Sequence, residues 1–413
     1  MTIRLLAPAG SFEALHAAIA AGADAIYFGV GDLNMRSRSA NFAERDLAKI
    51  AEICKKNRVI SCLTLNIIVY NTELEKIKKI IITAKKVGIN AIIACDMAVI
   101  QCCKEYKIPV HISTQANVSN KEAVRFYAQY ADVIVLAREL SLDQIKDICN
   151  WIKKEHICGP SKNLVQIEIF VHGALCVSIS GKCYMSLALY NTSANKGACY
   201  QQCRRAYTVR DQQTDAELAI DNQYVMSPKD LCTITFLDKI LASGVSVLKV
   251  EGRGRSPEYV STVVQVYRQA IDSITEKKYT EEKKQQWIKE LAKVYNRGFW
   301  QGGYYLGKKF DEWSNAQGSK ATQEKIYCGI VDNYYPKIKV AFIRIDAEEI
   351  HLNESLLIIG PTTGVVPVEV MSMKNETQSV TSAIKGEKVT LSVPQKVRKN
   401  DKVYLLRNKS ILL

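Results

Sequence analysis

Four cysteines, Cys176, Cys183, Cys199 and Cys203, fall within the polar stretch "CVSISGKCYMSLALYNTSANKGACYQQC", which contains no acidic residue. Their spacing is C-x6-C-x15-C-x3-C, and Cys232 follows in "SPKDLC". Thiolates gathered in a polar loop suit a soft metal centre, either zinc or an iron–sulfur cluster. Structural zinc usually comes with tight C-x2-C pairs, and none occurs here, so the spacing favours a cluster. The pattern C-x3-C-x2-C, which would bind S-adenosylmethionine through a cluster, fails at Ala206. Proteolysis would need a nucleophile with a paired base, or a metal-bound water. Neither G-x-S-x-G nor H-E-x-x-H occurs, which leaves His172 with Cys176 as a conceivable thiol–imidazole pair. Cys54, Cys62, Cys95, Cys102, Cys103, Cys149 and Cys158 sit mostly among apolar residues and read as small core side chains.

The elements that must position this cluster recur at regular intervals. Apolar runs "IRLLAPAG", "AIYFGV", "VISCLTLNI", "AIIAC", "VHIST", "DVIVLA", "VQIEIFVHG" and "VSVLKVEG" alternate with amphipathic stretches such as "NFAERDLAKIAEICKKN". Short strands without clean alternation are buried on both faces, as in a parallel sheet. Eight strand–helix units in about 250 residues match an α/β fold, a TIM-type (β/α)8-like barrel with a cysteine-rich insertion after strand 7. A doubly wound open sheet is the structural alternative, weakened because "LLAPAGS" lacks G-x-G-x-x-G. The expected division is a barrel over 1–275 (insertion 176–232), a helical and glycine-rich connecting segment over 276–322, and a small all-β barrel domain over 323–413. In the last region short alternating strands separated by turns replace the earlier pattern.

Polar residues cluster where the barrel strands should end: Asn34, Arg36, Arg38 and Asn41, then Asn66, Gln115, Asn117, Arg138, Glu139 and the run "KVEGRGRSPEY". Barrel enzymes place their chemistry at those strand ends. The side chains expected there describe a pocket for an anionic ligand. The chain carries 56 Lys+Arg against 42 Asp+Glu, a formal charge of +14, and most of the excess lies before residue 321. Segment 176–210 contributes Lys182, Lys196, Arg204, Arg205 and Arg210, interleaved with Tyr184, Tyr190, Tyr200 and Tyr207. Cations that grip phosphates beside faces that stack bases point to nucleic acid. The N-terminus has no signal-peptide pattern, and "AIIACDMAVI" is too short to span a bilayer, so the expectation is a cytoplasmic chain with no membrane partner.

The blocks "EIFVHGALCVSISGKCYMS", "SANKGACYQQCRR", "LLAPAGSFEALHAAIAAGADAIYFGV", "NMRSRSANF", "HISTQANVSN", "LAREL", "KDLC", "KVEGRGRSPEYV" and "NRGFWQGGYYLG" closely resemble those of peptidase family U32, the collagenase-like proteases. The resemblance covers about residues 1–310. It implies a 4Fe–4S cluster on Cys176, Cys183, Cys199 and Cys232, with Cys203 as a fifth thiol. It also implies prephenate as hydroxyl donor in the RNA-modifying members. A barrel with one short β-domain resembles the tRNA branch, whose members hydroxylate the wobble uridine to 5-hydroxyuridine. The partners implied are the tRNA anticodon loop, a small carboxylate ligand, and a second family member or another copy of this chain. Arg36, Arg38, Asn66, Gln115, Arg138 and Arg253 are the expected substrate-binding residues. Lys182, Lys196, Arg204 and Arg205 are expected on RNA, and Glu168 and His172 in proton transfer. Glu251 is expected to pair with Lys249 or Arg253. The alternatives are a U32-type peptidase, hydroxylation of a ribosomal RNA base or a ubiquinone precursor, and a non-catalytic partner subunit.

Overall fold

The computed structural model describes residues 3–208, 212–214, 226–300, 302–307, 313–316 and 318–409. Strands β1 (Arg4–Ala9), β2 (Ala25–Gly29), β3 (Ile60–Leu65), β4 (Ala91–Ala94), β5 (Val110–Ile112), β6 (Val133–Val135) and β7 (Gln166–Gly173) pair in chain order, all parallel. A short strand β8 (Asp230–Cys232) follows, and then β9 (Val247–Val250) pairs in parallel with both β7 and β1. That double pairing closes a (β/α)8 barrel from the eight runs read in the sequence. The β8 strand stands outside the barrel, antiparallel to the end of β7 (His172 opposite Cys232), and carries β10 (Phe299–Trp300) on its far edge.

The outward faces of the strands, such as Leu5, Phe28 and Leu63, pack under the helices in one continuous core. The inward faces are different. A ring of Leu6, Ala25, Tyr27, Cys62, Ala91, Ile93, Val133 and Val247 shares the barrel centre with charged side chains. Helix starts are capped as their sequences require: Ser11, Asp96 and Asn120 each accept from a backbone N–H in the first turn, and Ser141 forms a capping box with Gln144. Cys54, Cys62, Cys103 and Cys149 are buried as expected, and burial pushes the Cys54 and Cys62 thiols up to about 12. Cys158 is exposed, because its bridge to Leu164 belongs to a surface turn.

The helix Pro257–Thr275 ends the barrel, and the helix Glu281–Lys293 leads toward the second unit, whose first strand is Gln323–Tyr335. There an eight-stranded antiparallel sheet curls around Val331, Ile343, Ile358, Val366, Leu391 and Val403, with a two-stranded ribbon beside it. Leu357, Ile359 and Val365 from this sheet cover Ala17 on the first barrel helix, Phe12–Ala20. Lys325 pairs with Glu258 at the start of the last barrel helix, 2.9 Å away. Gly364 makes the close approach possible. It has φ +75°, and a Cβ there would lie 3.0 Å from the Ala17 backbone nitrogen.

Candidate functional site

The loops after the barrel strands and the segment after β7 enclose one cavity of about 220 Å³ at the carboxyl ends of the strands. The segment over 174–208 has little regular structure: a helical turn pair at Met185–Tyr190, and single turns at Ala194–Lys196 and Gln202–Arg204. Left-handed residues reverse it repeatedly, at Gly181, Asn191, Gly197 and Gln201. At Gly181 the left-handed φ of +77° disfavours a side chain, and a Cβ there would fall 2.1 Å from Gln115 Oε1 and push the Gln115 amide aside. Two basic residues fasten it. Arg204 donates to Ser227 Oγ (3.0 Å) and to the carbonyls of Pro228 (2.6 Å) and Leu175. Lys196 donates to the Ile68 carbonyl (2.9 Å) and pairs with Glu73.

This folding brings Cys176, Cys183, Cys199 and Cys203 to the same cavity wall. Burial pushes the Cys203 thiol up to about 11; Arg204 opposes, and the nearby thiols of Cys176, Cys199 and Cys183 add to the rise. Cys232 is not among them. It is 1% exposed on β8, its thiol pushed up to about 12 by burial. Among the described residues no three His, Cys, Asp or Glu side chains are close enough to hold a single metal ion. A cubane takes each thiolate on a separate iron and so does not need three donors converging on one ion.

The lining is also cationic. Arg36, Arg138, Arg204, Arg253, Arg255, Arg297 and Lys249 line the cavity against the carboxylate of Glu251. Arg36 donates to Glu251 Oε1 through Nε (3.1 Å) and Nη2 (2.5 Å), so Glu251 pairs with Arg36 rather than with Lys249 or Arg253. Burial alone would raise the Glu251 carboxyl. The Arg36 and Arg138 charges, the hydrogen bonds from Arg36 and the Arg253 charge outweigh it and hold the group at about 2. Arg253 is 4% exposed and donates to neutral oxygens, Asn34 Oδ1 and Thr64 Oγ1, each at 2.8 Å. Burial brings its guanidinium down to about 10. Arg138 donates to the Ala174 carbonyl (3.1 Å) and lies 4.0 Å from the Phe170 ring centroid, with its buried Nε unpartnered. Among the described residues neither Arg138 nor Arg253 makes a direct ion pair, although the charges of both act on the nearby Glu251 carboxylate. Asn66 and Gln115 line the same cavity, Asn66 donating to Ser113 Oγ at 3.3 Å.

Lys249 forms the floor. Its Nζ reaches Glu168 Oε1 at 2.7 Å inside the barrel. Glu168 Oε2 faces His111 Nδ1 at 3.8 Å, and both atoms are buried without a hydrogen-bond partner. His111 is held at about 3, neutral, by burial and by the Lys249 and Arg4 charges.

The remaining expected residues lie elsewhere. Between Phe170 and His172 the β7–β9 register shifts by one residue. Phe170 therefore lines the cavity while His172 packs outside the barrel, 5.5 Å from Tyr267 and 5.9 Å from Phe299 between ring centroids. Burial holds His172 at about 3, and the cavity does not take it in. Arg38 lies outside the lining, over the Tyr200 ring. Of the expected RNA contacts, Lys182 and Arg205 are exposed, whereas Lys196 and Arg204 are spent on the anchors just described. Arg210 falls outside the described residues.

The arrangement of thiols and arginines at a barrel mouth coincides with a family match. The profile of peptidase family U32 matches residues 10–315. The chain belongs to peptidase family U32. It is 49% identical over 401 residues to a collagenase of Porphyromonas gingivalis, covering 97% of each chain. It is 37% identical to an uncharacterized protease of Methanocaldococcus jannaschii, covering 98% of each. Its identity to tRNA hydroxylation protein P1 of Bacillus subtilis is 33%, over 80% of this chain and 77% of that one. U32 relatives thus carry enzyme names of two kinds, and the site has to distinguish them. In this U32 chain no helix among the described residues is long and apolar enough to cross a membrane.

Sequence reasoning missed Lys249, Arg255 and Arg297 as cavity residues. For Lys249 a signal was present: in "LKVEG" two charged residues alternate with valine in a strand otherwise apolar, which places both on the inner face. Arg297 comes from the connecting segment, and nothing local marks it as a neighbour of Asp230, 3.4 Å away.

Proposed function

We infer that this chain hydroxylates a base in RNA, converting the wobble uridine of tRNA to 5-hydroxyuridine, with a 4Fe–4S cluster and with prephenate as hydroxyl donor. The observation that carries this reading is the cavity itself: four thiols line it together with Arg138 and Arg253, neither of which is taken up in a direct ion pair. Two guanidinium groups outside any direct ion pair suit the two carboxylates of a prephenate-like ligand. Cys176, Cys183 and Cys199 would hold the cluster together with Cys203, which lies beside them, in preference to Cys232 behind the wall. Such a cluster supplies electron transfer at the cavity. Lys249, held by Glu168, is the floor group placed to hold or move a proton, and Asn66 and Gln115 offer neutral donors and acceptors to the ligand.

The identity to the Porphyromonas gingivalis collagenase favours a second reading, a peptidase. The geometry supports it less, because His172 lies outside the cavity and His111 is buried on Glu168, so neither serves a cysteine as base.

Nucleoside mass spectrometry of RNA from cells lacking the gene, with and without complementation, tests the first reading. Loss and restoration of 5-hydroxyuridine is the expected result. Unchanged nucleosides in a strain without a second family member, together with gelatin cleavage by the purified chain, would establish the peptidase instead. Iron and acid-labile sulfide in anaerobically purified Cys176→Ala, Cys203→Ser and Cys232→Ser test the ligand set. The first two are expected to lose the cluster and the third to keep it.

A further inference from the structure

Between Cys199 and Gln201, both on the cavity wall, stands Tyr200, which is not. Its ring is stacked on Tyr190, with 4.7 Å between centroids and 28° between planes. The guanidinium carbon of Arg38 lies 3.8 Å from the Tyr200 centroid. Arg38 comes from the loop after β2 and the tyrosines from the segment after β7, so this stack joins two loops at the lip of the mouth. It is left in water: Tyr190 is 42% exposed, Tyr200 36%, and Arg38 is exposed. Among the described residues Arg38 pairs with no carboxylate. Exposed Lys182, Arg205 and Tyr184 lie in the same segment, which is free of acidic residues from 176 to 208.

An aromatic pair with a guanidinium on it presents flat polarisable faces, and flanking cations supply phosphate contacts. Unpaired nucleobases stack on aromatic and guanidinium planes, while duplex RNA hides its faces. An acidic peptide would use the cations but not the flat stack. An apolar peptide would have to bury Arg38. We propose that Arg38, Tyr200 and Tyr190 form a stacking platform for an unpaired nucleotide adjacent to the one that enters the cavity. The inference rests on the RNA-hydroxylase reading and adds how the strand is held there. The platform recognises an exposed base face and is indifferent to which base it is, so sequence preference must come from the cavity.

The test uses the full chain and an anticodon stem-loop RNA carrying 2-aminopurine beside the wobble uridine, with a fully paired RNA of equal length as control. Binding of the stem-loop by the native chain is expected to quench the fluorophore. Tyr190→Ala, which removes an outer face of the stack, is expected to weaken stem-loop binding about 5- to 150-fold, the span of one stacked base. Tyr200→Ala, which removes the ring between Tyr190 and Arg38, is expected to weaken it as well, and both to relieve the quenching. Tyr200→Phe is expected to retain both, and binding of the paired RNA to stay within twofold throughout. Arg38→Gln, on an exposed side chain, gives the same readout should Tyr200→Ala fail to fold. If the native chain binds the stem-loop and the alanine variants bind and quench equally well, the platform is refuted and the hydroxylase reading stands. If the native chain prefers a denatured collagen peptide and ignores both RNAs, the reading falls and the platform with it.

Discussion

Replacing Lys249 with methionine isolates the most consequential contact inside the barrel. Its Nζ lies 2.7 Å from Glu168 Oε1, with side-chain exposures of 6% and 0%. At an effective dielectric constant of about 20 that separation corresponds to roughly 6 kcal/mol of attraction, which the desolvation of two ions largely offsets. The intact pair therefore contributes little compared with two apolar side chains of similar volume. The broken pair behaves differently. Glu168 Oε2 already has no hydrogen-bond partner, and His111, its other neighbour at 3.8 Å, is held neutral. Methionine at 249 would leave the carboxylate with nothing to compensate it, at a cost of about 3–5 kcal/mol. The double variant Glu168→Gln/Lys249→Met should recover most of that loss, because it removes the stranded charge. Urea unfolding followed by tryptophan fluorescence, with the native chain, the single variants Lys249→Met and Glu168→Gln, and the double variant, measures the cycle. A Lys249→Met stability within about 1 kcal/mol of native, or a double variant no better than the single one, would refute the argument.

Acid should destabilise the protein in two stages. His111, held at about 3, resists protonation in the fold but not when unfolded, so its stabilisation is present above about pH 6.5 and declines by roughly 1.4 kcal/mol per pH unit below it. Urea midpoints across pH 4–7 should be visibly flatter in His111→Gln. Glu251, depressed from 4.5 to about 2, contributes on the order of 3 kcal/mol above about pH 4.5 that is lost as pH falls toward 2. Arg36→Gln should shrink that second stage, and an unchanged acid limb would count against the Arg36–Glu251 pairing. In the cavity, Arg253→Gln keeps a polar partner for Asn34 and Thr64 while removing charge. Calorimetric titration with prephenate should then show about 10- to 150-fold weaker binding, and equal affinity would contradict the carboxylate role. Gly364→Val must strain a φ of +75° and displace the Ala17 backbone, so limited proteolysis should cut between barrel and β-domain at protease concentrations that spare the native chain.

Elements that report themselves locally could be read from the chain alone. The eight barrel strands are apolar runs bounded by helix caps, and each closes on its neighbour where the runs were quoted. The thiol cluster was legible because cysteines in a polar, acid-free loop have little else to do. His172 was not legible as an outward residue. By period two it shares a face with Glu168 and Phe170, and the register shift that turns it out is a property of the β7–β9 pairing. The anchoring partners of Lys196 and Arg204 were not legible for another reason. Long flexible cations look alike in sequence, whereas their ends go wherever the fold leaves a carboxylate or bare carbonyls, here Glu73 and the Leu175 and Pro228 carbonyls. Spacing did not separate Cys203 from Cys232; what sets them apart in the fold is that Cys203 lines the cavity while Cys232 is buried on β8, outside that lining.

The contact between the β-domain and the barrel also bears on the order in which the chain is made. A closed barrel has one join that sequence-adjacent units cannot supply, and here it is the ladder between β1 and β9, Arg4 to Leu6 against Val247 to Lys249. Residues that far apart meet late, after most of the loop entropy has been spent. The two helices beside that join, Phe12–Ala20 and Pro257–Thr275, are the ones the β-domain grips through Ala17 and Glu258. During synthesis the domain emerges after the barrel, as a clasp over a join that has just formed. A chain released before residue 323 would still hold every cavity residue but would leave the closing join of the barrel uncovered on that side, and the two helices that flank it should loosen first.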